Sequence, residues 1–125
     1  MNQPRHAIVA SGNTKLAAAY LDHLATQGYS IRHETDAQLA LQAALVDQPT
    51  LVILDLALGH TCHDLIDILS QTPETEHTVI IALAPLVDDV ARQRIRQLGA
   101  RDLMVDSLSA VPAVVTRALQ HTRIA

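Results

Sequence analysis

The chain has 125 residues, which is one ordinary domain with no room for a second core. Hydrophobic residues make up 49% and charged residues 18%, which excludes a disordered chain. Thirteen Asp+Glu against nine Lys+Arg leave a net charge of −4, arguing against a nucleic-acid or membrane-surface protein, both of which need a basic field.

Residues 1–125 read as one unit, with no repeat, low-complexity tract or linker. The opening Met1-Asn2-Gln3-Pro4-Arg5 leads directly into the apolar run Ala7–Ala10, with no signal-peptide h-region or cleavage site. That run predicts a strand near 6–11. Asn13 is placed to cap a helix over 13–27, in which Ala17, Tyr20, Leu21 and Leu24 share a stripe and Gly28 follows the end. The alternating Tyr29-Ser30-Ile31-Arg32-His33 predicts a half-exposed edge strand over 29–34. Asp36 caps a second helix, 36–47. Leu51–Leu58 is the longest apolar stretch; it is interrupted by Asp55, is far too short to span a bilayer, and predicts a strand over 50–56. A helix over 63–71 and a strand over 78–84 follow, the latter on Val79–Ala84. Val87, Val90, Ala91, Ile95 and Leu98 mark a helix over 87–98, with Gly99 past its end. Leu103–Val105 predicts the last strand, 102–106. Ser109 is placed to cap the last helix, 109–122, with Pro112 in its first turn and Val111, Val114, Val115, Ala118 and Leu119 on one stripe. The single cysteine, Cys62, cannot close an internal disulfide and fits a reducing cytoplasm.

Five β-α units with a helix in every crossover predict parallel strands covered on both faces. The expected fold is a three-layer α/β/α sandwich on a five-stranded parallel sheet, order 2-1-3-4-5, of flavodoxin-like topology. Ligands of such sheets bind outside the carboxyl ends of the strands, at the switch between strands 1 and 3. Ala10-Ser11-Gly12-Asn13, Asp55 and Asp106-Ser107 reach that edge. A carboxylate inside an apolar run must be hydrogen-bonded, open into a crevice or shift its pKa. Asp55 is therefore either an acceptor of backbone N–H bonds at a strand exit or a functional group.

The whole chain resembles a response-regulator receiver domain of the CheY-like kind, in its length, its five β-α units and Leu51-Val52-Ile53-Leu54-Asp55-Leu56. Gly99-Ala100-Arg101-Asp102-Leu103 is similar to the family's Gly-Ala-x-Asp/Glu-Tyr/Phe lead-in to strand 5. The resemblance implies that Asp55 occupies the phosphoacceptor position, served by a histidine kinase. It also implies an output surface on helix 4, strand 5 and helix 5, where an output domain or a second copy in a homodimer would meet the chain. The other family positions are not kept. The acidic pair that holds Mg²⁺ falls on Ala10 and Ser11. The Thr or Ser that ends strand 4 is Leu83, followed by Ala84; the lysine that ends strand 5 is Asp106, and the proline after it is Ser107.

One carboxylate is a poor hold on Mg²⁺, which wants an octahedral oxygen shell. Phosphoryl transfer relies on metal and cationic groups to neutralise the equatorial oxygens. An Asp in place of Lys reverses a sign there, a swing on the order of 5 kcal/mol at ~6 Å and an effective dielectric of ~20. The expectation is a pseudo-receiver, not an enzyme: Mg²⁺ binding and Asp55 phosphorylation weak or absent, the signal passed by protein contact.

Other segments carry further readings. Ser11-Gly12-Asn13-Thr14 at a helix start is a candidate phosphate or anion loop, and is similar to the flavodoxin loop Thr-Gly-Asn-Thr. That makes an FMN- or phosphate-ligand-binding protein the alternative, against an ordinary cap and tight turn. No Trp or Phe is present, and neither Tyr20 nor Tyr29 is placed to sandwich a flavin. Lys15 lacks the spaced upstream glycine of a P-loop. Gly59-His60-Thr61-Cys62-His63-Asp64 reads as a solvated loop after Asp55, in which His60, Cys62 and His63 are candidate soft-metal ligands, although neighbouring residues rarely chelate one ion together. Arg92, Arg94, Arg96 and Arg101 form a basic patch around helix 4, either balanced by Asp88 and Asp89 or facing an acidic partner.

Overall fold

A computed structural model describes residues 5–122. The elements are β1 Arg5–Ala10, α1 Thr14–Thr26, β2 Tyr29–Glu34, α2 Ala37–Asp47, β3 Leu51–Asp55, α3 Thr61–Gln71, β4 Val79–Ala84, α4 Asp89–Leu98, β5 Asp102–Val105 and α5 Val111–Thr122. All neighbouring strands pair in parallel, in the order β2-β1-β3-β4-β5. This is the sheet the alternation of periods predicts.

Strand periodicity sorts the central apolar runs into two cores, because successive side chains leave opposite faces of the sheet. Ile8, Val52, Leu54, Ile80 and Ala82 face α2, α3 and α4. Val9, Leu51, Ile53, Ile81 and Leu83 face α1 and α5, where Tyr20 and Val114 meet them. The β3 run is buried throughout because both faces are covered. β2 is half-exposed, as its alternation requires of an edge strand.

Helix starts follow the expected caps at two places. Asn13 Oδ1 accepts the Leu16 N–H at 3.1 Å, and Asp36 Oδ1 accepts those of Gln38 and Leu39 at 2.8 and 3.0 Å. Ser109 does not cap α5. It lies within a 3₁₀ turn, Leu108–Ala110, that runs directly into the helix, so backbone carbonyls take the place of a hydroxyl. A second 3₁₀ turn, Leu56–Leu58, follows β3 and ends at Gly59, whose φ of 107° turns the chain into α3 two residues before the expected start. No described helix is long and apolar enough to cross a membrane. The signal-peptide reading of Met1–Pro4 lies outside the described residues.

Candidate functional site at the carboxyl edge

The same period of two decides what meets Asp55. Ser11, Asp55 and Leu83 continue the faces of Val9, Ile53 and Ile81, toward α1 and α5, and Asp55 sits in register with Leu83 of β4. Ala10 falls on the opposite face and is part of the core beneath α2 and α3. Of the two positions at the end of β1 that the receiver resemblance singles out, Ala10 and Ser11, only Ser11 therefore touches Asp55.

Asp55 is 5% exposed, and both of its carboxylate oxygens are engaged. Oδ2 accepts the Ser11 hydroxyl at 2.9 Å, and Oδ1 accepts the Ala57 N–H at 3.0 Å, capping the 3₁₀ turn. These are charge-assisted bonds, which offset part of the cost of taking the carboxylate out of water. Ser11 is itself buried and spans strands: its N–H donates to Glu34 O of β2 at 3.0 Å, and its carbonyl lies 2.9 Å from His33 Nε2. Its Oγ also accepts the Asn13 N–H at 3.1 Å. Asp55 thus accepts a backbone N–H at the strand exit, with a serine hydroxyl added to it.

These bonds also consume the candidate anion loop. Ser11 Oγ points at a carboxylate, and Asn13 caps α1. Of Ser11, Gly12, Asn13 and Thr14, the last three are exposed, in a tight turn of ordinary cap geometry. Tyr20 and Tyr29 are both buried in the core beneath α1 and α5. Neither offers a face to a flavin.

Cys62 corrects another expectation. It lies in the first turn of α3, fully buried, and not in a solvated loop. Its thiol donates to the Asp55 carbonyl at 3.5 Å. Burial, then the charge of Asp55, pushes the thiol up to about 11, and a bond from the Gly59 backbone pulls the other way. His60 and His63 are exposed, so the helix splits the three candidate ligands between core and solvent. Among the described residues no group of three His, Cys, Asp or Glu side chains is placed to hold a metal ion.

Asp106, one residue past β5, is half-buried, and its N–H donates to Ala84 O at 3.0 Å. Its charge and that of Asp55 both reach the Tyr20 phenol. Burial first, then Asp106, then Asp55, raises that group far above its ordinary value and keeps it protonated. The Tyr20 hydroxyl finds no hydrogen-bond partner among the described residues, although the side chain is fully buried. In the sequence Tyr20 is one residue of a core stripe, and nothing there links it to the charges of Asp106 and Asp55. Tyr20→Phe removes an unsatisfied donor while keeping the ring, so we expect stability unchanged or raised by about 1 kcal/mol in urea unfolding. A loss above about 1 kcal/mol would show that the hydroxyl is well bonded in solution.

No protein-family model matches the chain, and no curated protein matches it. Solved structures do. Chemotaxis response regulator CheY4 of Vibrio cholerae aligns over 93% of this chain and 99% of its own, with a TM-score of 0.81 at 15% identity. The response regulator domain of Thermotoga maritima CheB aligns over 98% and 99%, with a TM-score of 0.81 at 12% identity. A Burkholderia pseudomallei response regulator, solved with a phosphorylated aspartic acid, calcium ion and citrate, aligns over 93% of this chain and 69% of its own, with a TM-score of 0.74 at 20% identity. The chain has the receiver-domain fold.

On the α4–β5–α5 side of this receiver fold the basic patch has a partner that sequence reading missed. Asp102, 2% exposed at the start of β5, lies 3.1 Å from Arg92 Nε, 3.3 Å from Arg96 Nη2 and 3.8 Å from Arg117 Nη1. It also accepts the Leu103 N–H at 2.8 Å. The Arg92 Nε–H is not aimed at the carboxylate, so that contact is an ion pair without a hydrogen bond. Among the described residues neither Asp88 nor Asp89 makes an ion pair with these arginines; Asp88 caps α4 through the Ala91 N–H at 2.8 Å. The cationic surroundings extend to His121 of α5, lowered first by burial and then by Arg101, with Arg117 and Arg96 adding and Asp102 opposing. The signal available in the sequence was an Asp directly before the apolar run Leu103–Val105, where a buried carboxylate requires a cation or several donors.

Proposed function

We propose that the chain is a receiver-fold module of two-component signalling that acts by protein contact and carries out little or no phosphoryl transfer. The observation that carries this reading is the closure of Asp55: both its oxygens are bonded internally, to Ser11 Oγ and Ala57 N. A phosphoryl group on Oδ2 would have to displace the serine, and Leu83 in register beside it has no hydroxyl to receive the phosphoryl oxygens. Ala10 and Ser11 supply no carboxylate for Mg²⁺, and Asp106 brings negative charge to the same edge. The partner is a histidine kinase or an output domain, met on the α4–β5–α5 face. In the receiver resemblance that face is the output surface, and here it is braced by one buried carboxylate between two helices and a strand.

The test is the intact mass of the protein after Mg²⁺ and acetyl phosphate, beside Asp55→Asn and an ordinary receiver labelled under the same conditions. We expect no mass change in either form of this chain. A single phosphoryl increment that disappears in Asp55→Asn would refute the proposal and show that another group stands in for the missing acid pair and lysine.

A further inference from the structure

Between α3 and α4 the carboxyl edge opens into a groove of ≈ 370 Å³. Its floor comes from Leu56, the residue after Asp55, with Ala84 at the end of β4 and Leu103 of β5. Ile95 and Leu98 of α4 form one wall. Two lining residues carry ionisable groups, His63 on α3 and Arg94 on α4, and no carboxylate lines it. Arg92 and Arg96 turn to Asp102 on the far side of α4, whereas Arg94 makes no ion pair among the described residues. An apolar slot with one uncommitted guanidinium is a recognition element for a molecule with an apolar body and one negative charge.

We propose that this groove binds a free small carboxylate with an aliphatic or aryl body, the body against Leu56, Ile95, Leu98 and Leu103 and the carboxylate on Arg94. The size of the groove supports a small molecule, since it falls at the low end of the roughly 300–1,000 Å³ of ligand pockets. The surroundings do not favour a protein partner or a second copy. Leu86 lines the lip of the groove and is exposed, as is Val90 on α4, but the outward residues Gln93 and Gln97 of α4 are polar and limit the apolar rim to these two side chains. The helix that carries Arg94 also carries the two arginines bound to Asp102, so an occupant braces the α4–β5 contact from its other side.

The experiment titrates octanoate into the isotope-labelled 125-residue chain and follows backbone amide shifts, with octanol and acetate as neutral and tailless counterparts. We expect saturable octanoate shifts confined to Leu86, Ala91, Arg94, Ile95 and Leu103. Arg94→Gln, at an exposed position, should weaken octanoate about tenfold, the effect of losing one charged hydrogen-bond partner. Ala91 also lines the groove, half-buried against the core, and Ala91→Leu should fill the slot and remove binding while the amide spectrum away from the groove stays that of the folded protein. Several results overturn the proposal: no saturable shifts, octanol as tight as octanoate, or an unchanged affinity in Arg94→Gln. Groove amides that shift on dilution without ligand would also overturn it, because a second copy would then be the occupant.

Discussion

Asp102→Ala should destabilise the fold by about 2 kcal/mol and lower the thermal midpoint by about 8 °C. The substitution leaves Arg92, Arg96 and Arg117 converging on an apolar methyl and takes the acceptor from the Leu103 N–H. Breaking a fully buried pair costs about 3–5 kcal/mol, but these arginine side chains are 36%, 52% and 49% exposed and water takes up part of the loss. Two accompanying results identify the cause. Raised salt should restore part of the lost stability by screening the arginines from one another. Asp102→Asn, which keeps an oxygen for Leu103, should lose less than Asp102→Ala. Urea unfolding of the three proteins at two salt concentrations measures all of this, and a loss below about 0.5 kcal/mol would remove Asp102 as the brace of the α4–β5–α5 face.

Gly99→Ala is expected to cost about 3 kcal/mol, more than most surface substitutions. Gly99 closes α4 with φ at +131°, where its N–H is shared between the Arg96 and Ile95 carbonyls. A Cβ there adopts a backbone region that side chains avoid and would stand 2.6 Å from both Cβ and Oγ of Ser70 on α3. Ser70 cannot yield freely, because its hydroxyl donates to Asp67 O at 3.0 Å. The double substitution Gly99→Ala with Ser70→Gly removes the clash and leaves the backbone strain, so it should recover part of the loss. Full recovery would assign the whole cost to packing, and no loss in the single variant would refute the close approach of α3 and α4.

Both predictions concern residues whose local chemistry was visible and whose partners were not. Gly99 stood out as the glycine past a helical stripe, yet nothing in the sequence pairs it with Ser70. Asp102 belonged to the receiver-like stretch Gly99–Leu103, yet the arginines that surround it lie on two different helices. Asp88 and Asp89 are the carboxylates nearest these arginines along the chain, but nearness in sequence does not set the pairing. A carboxylate with α4's backbone N–H groups beside it caps the helix, and Asp88 does so. Cys62 shows the same limit. Its glycine- and histidine-flanked stretch suggests a loop, but the 3₁₀ turn after Asp55 brings the chain into α3 early and sends the thiol inward.

The five β-α units, the parallel sheet and its order are legible in the sequence, because apolar runs of strand length alternating with helical stripes admit few other chain paths. Also legible is that Asp55 needs donors, since a carboxylate in an apolar run has no other way to remain buried. Which donors they are was decided by the tertiary structure. Strand pairing sets the Asp55–Leu83 register, and the alternation of faces turns Ser11 toward Asp55 and Ala10 away from it. Packing of α4 and α5 on β5 then gathers three arginines about Asp102. Hydrogen bonds and ion pairs act over a few ångströms, and across a sheet those few ångströms separate residues that lie 44 apart in the chain, as Ser11 and Asp55 do.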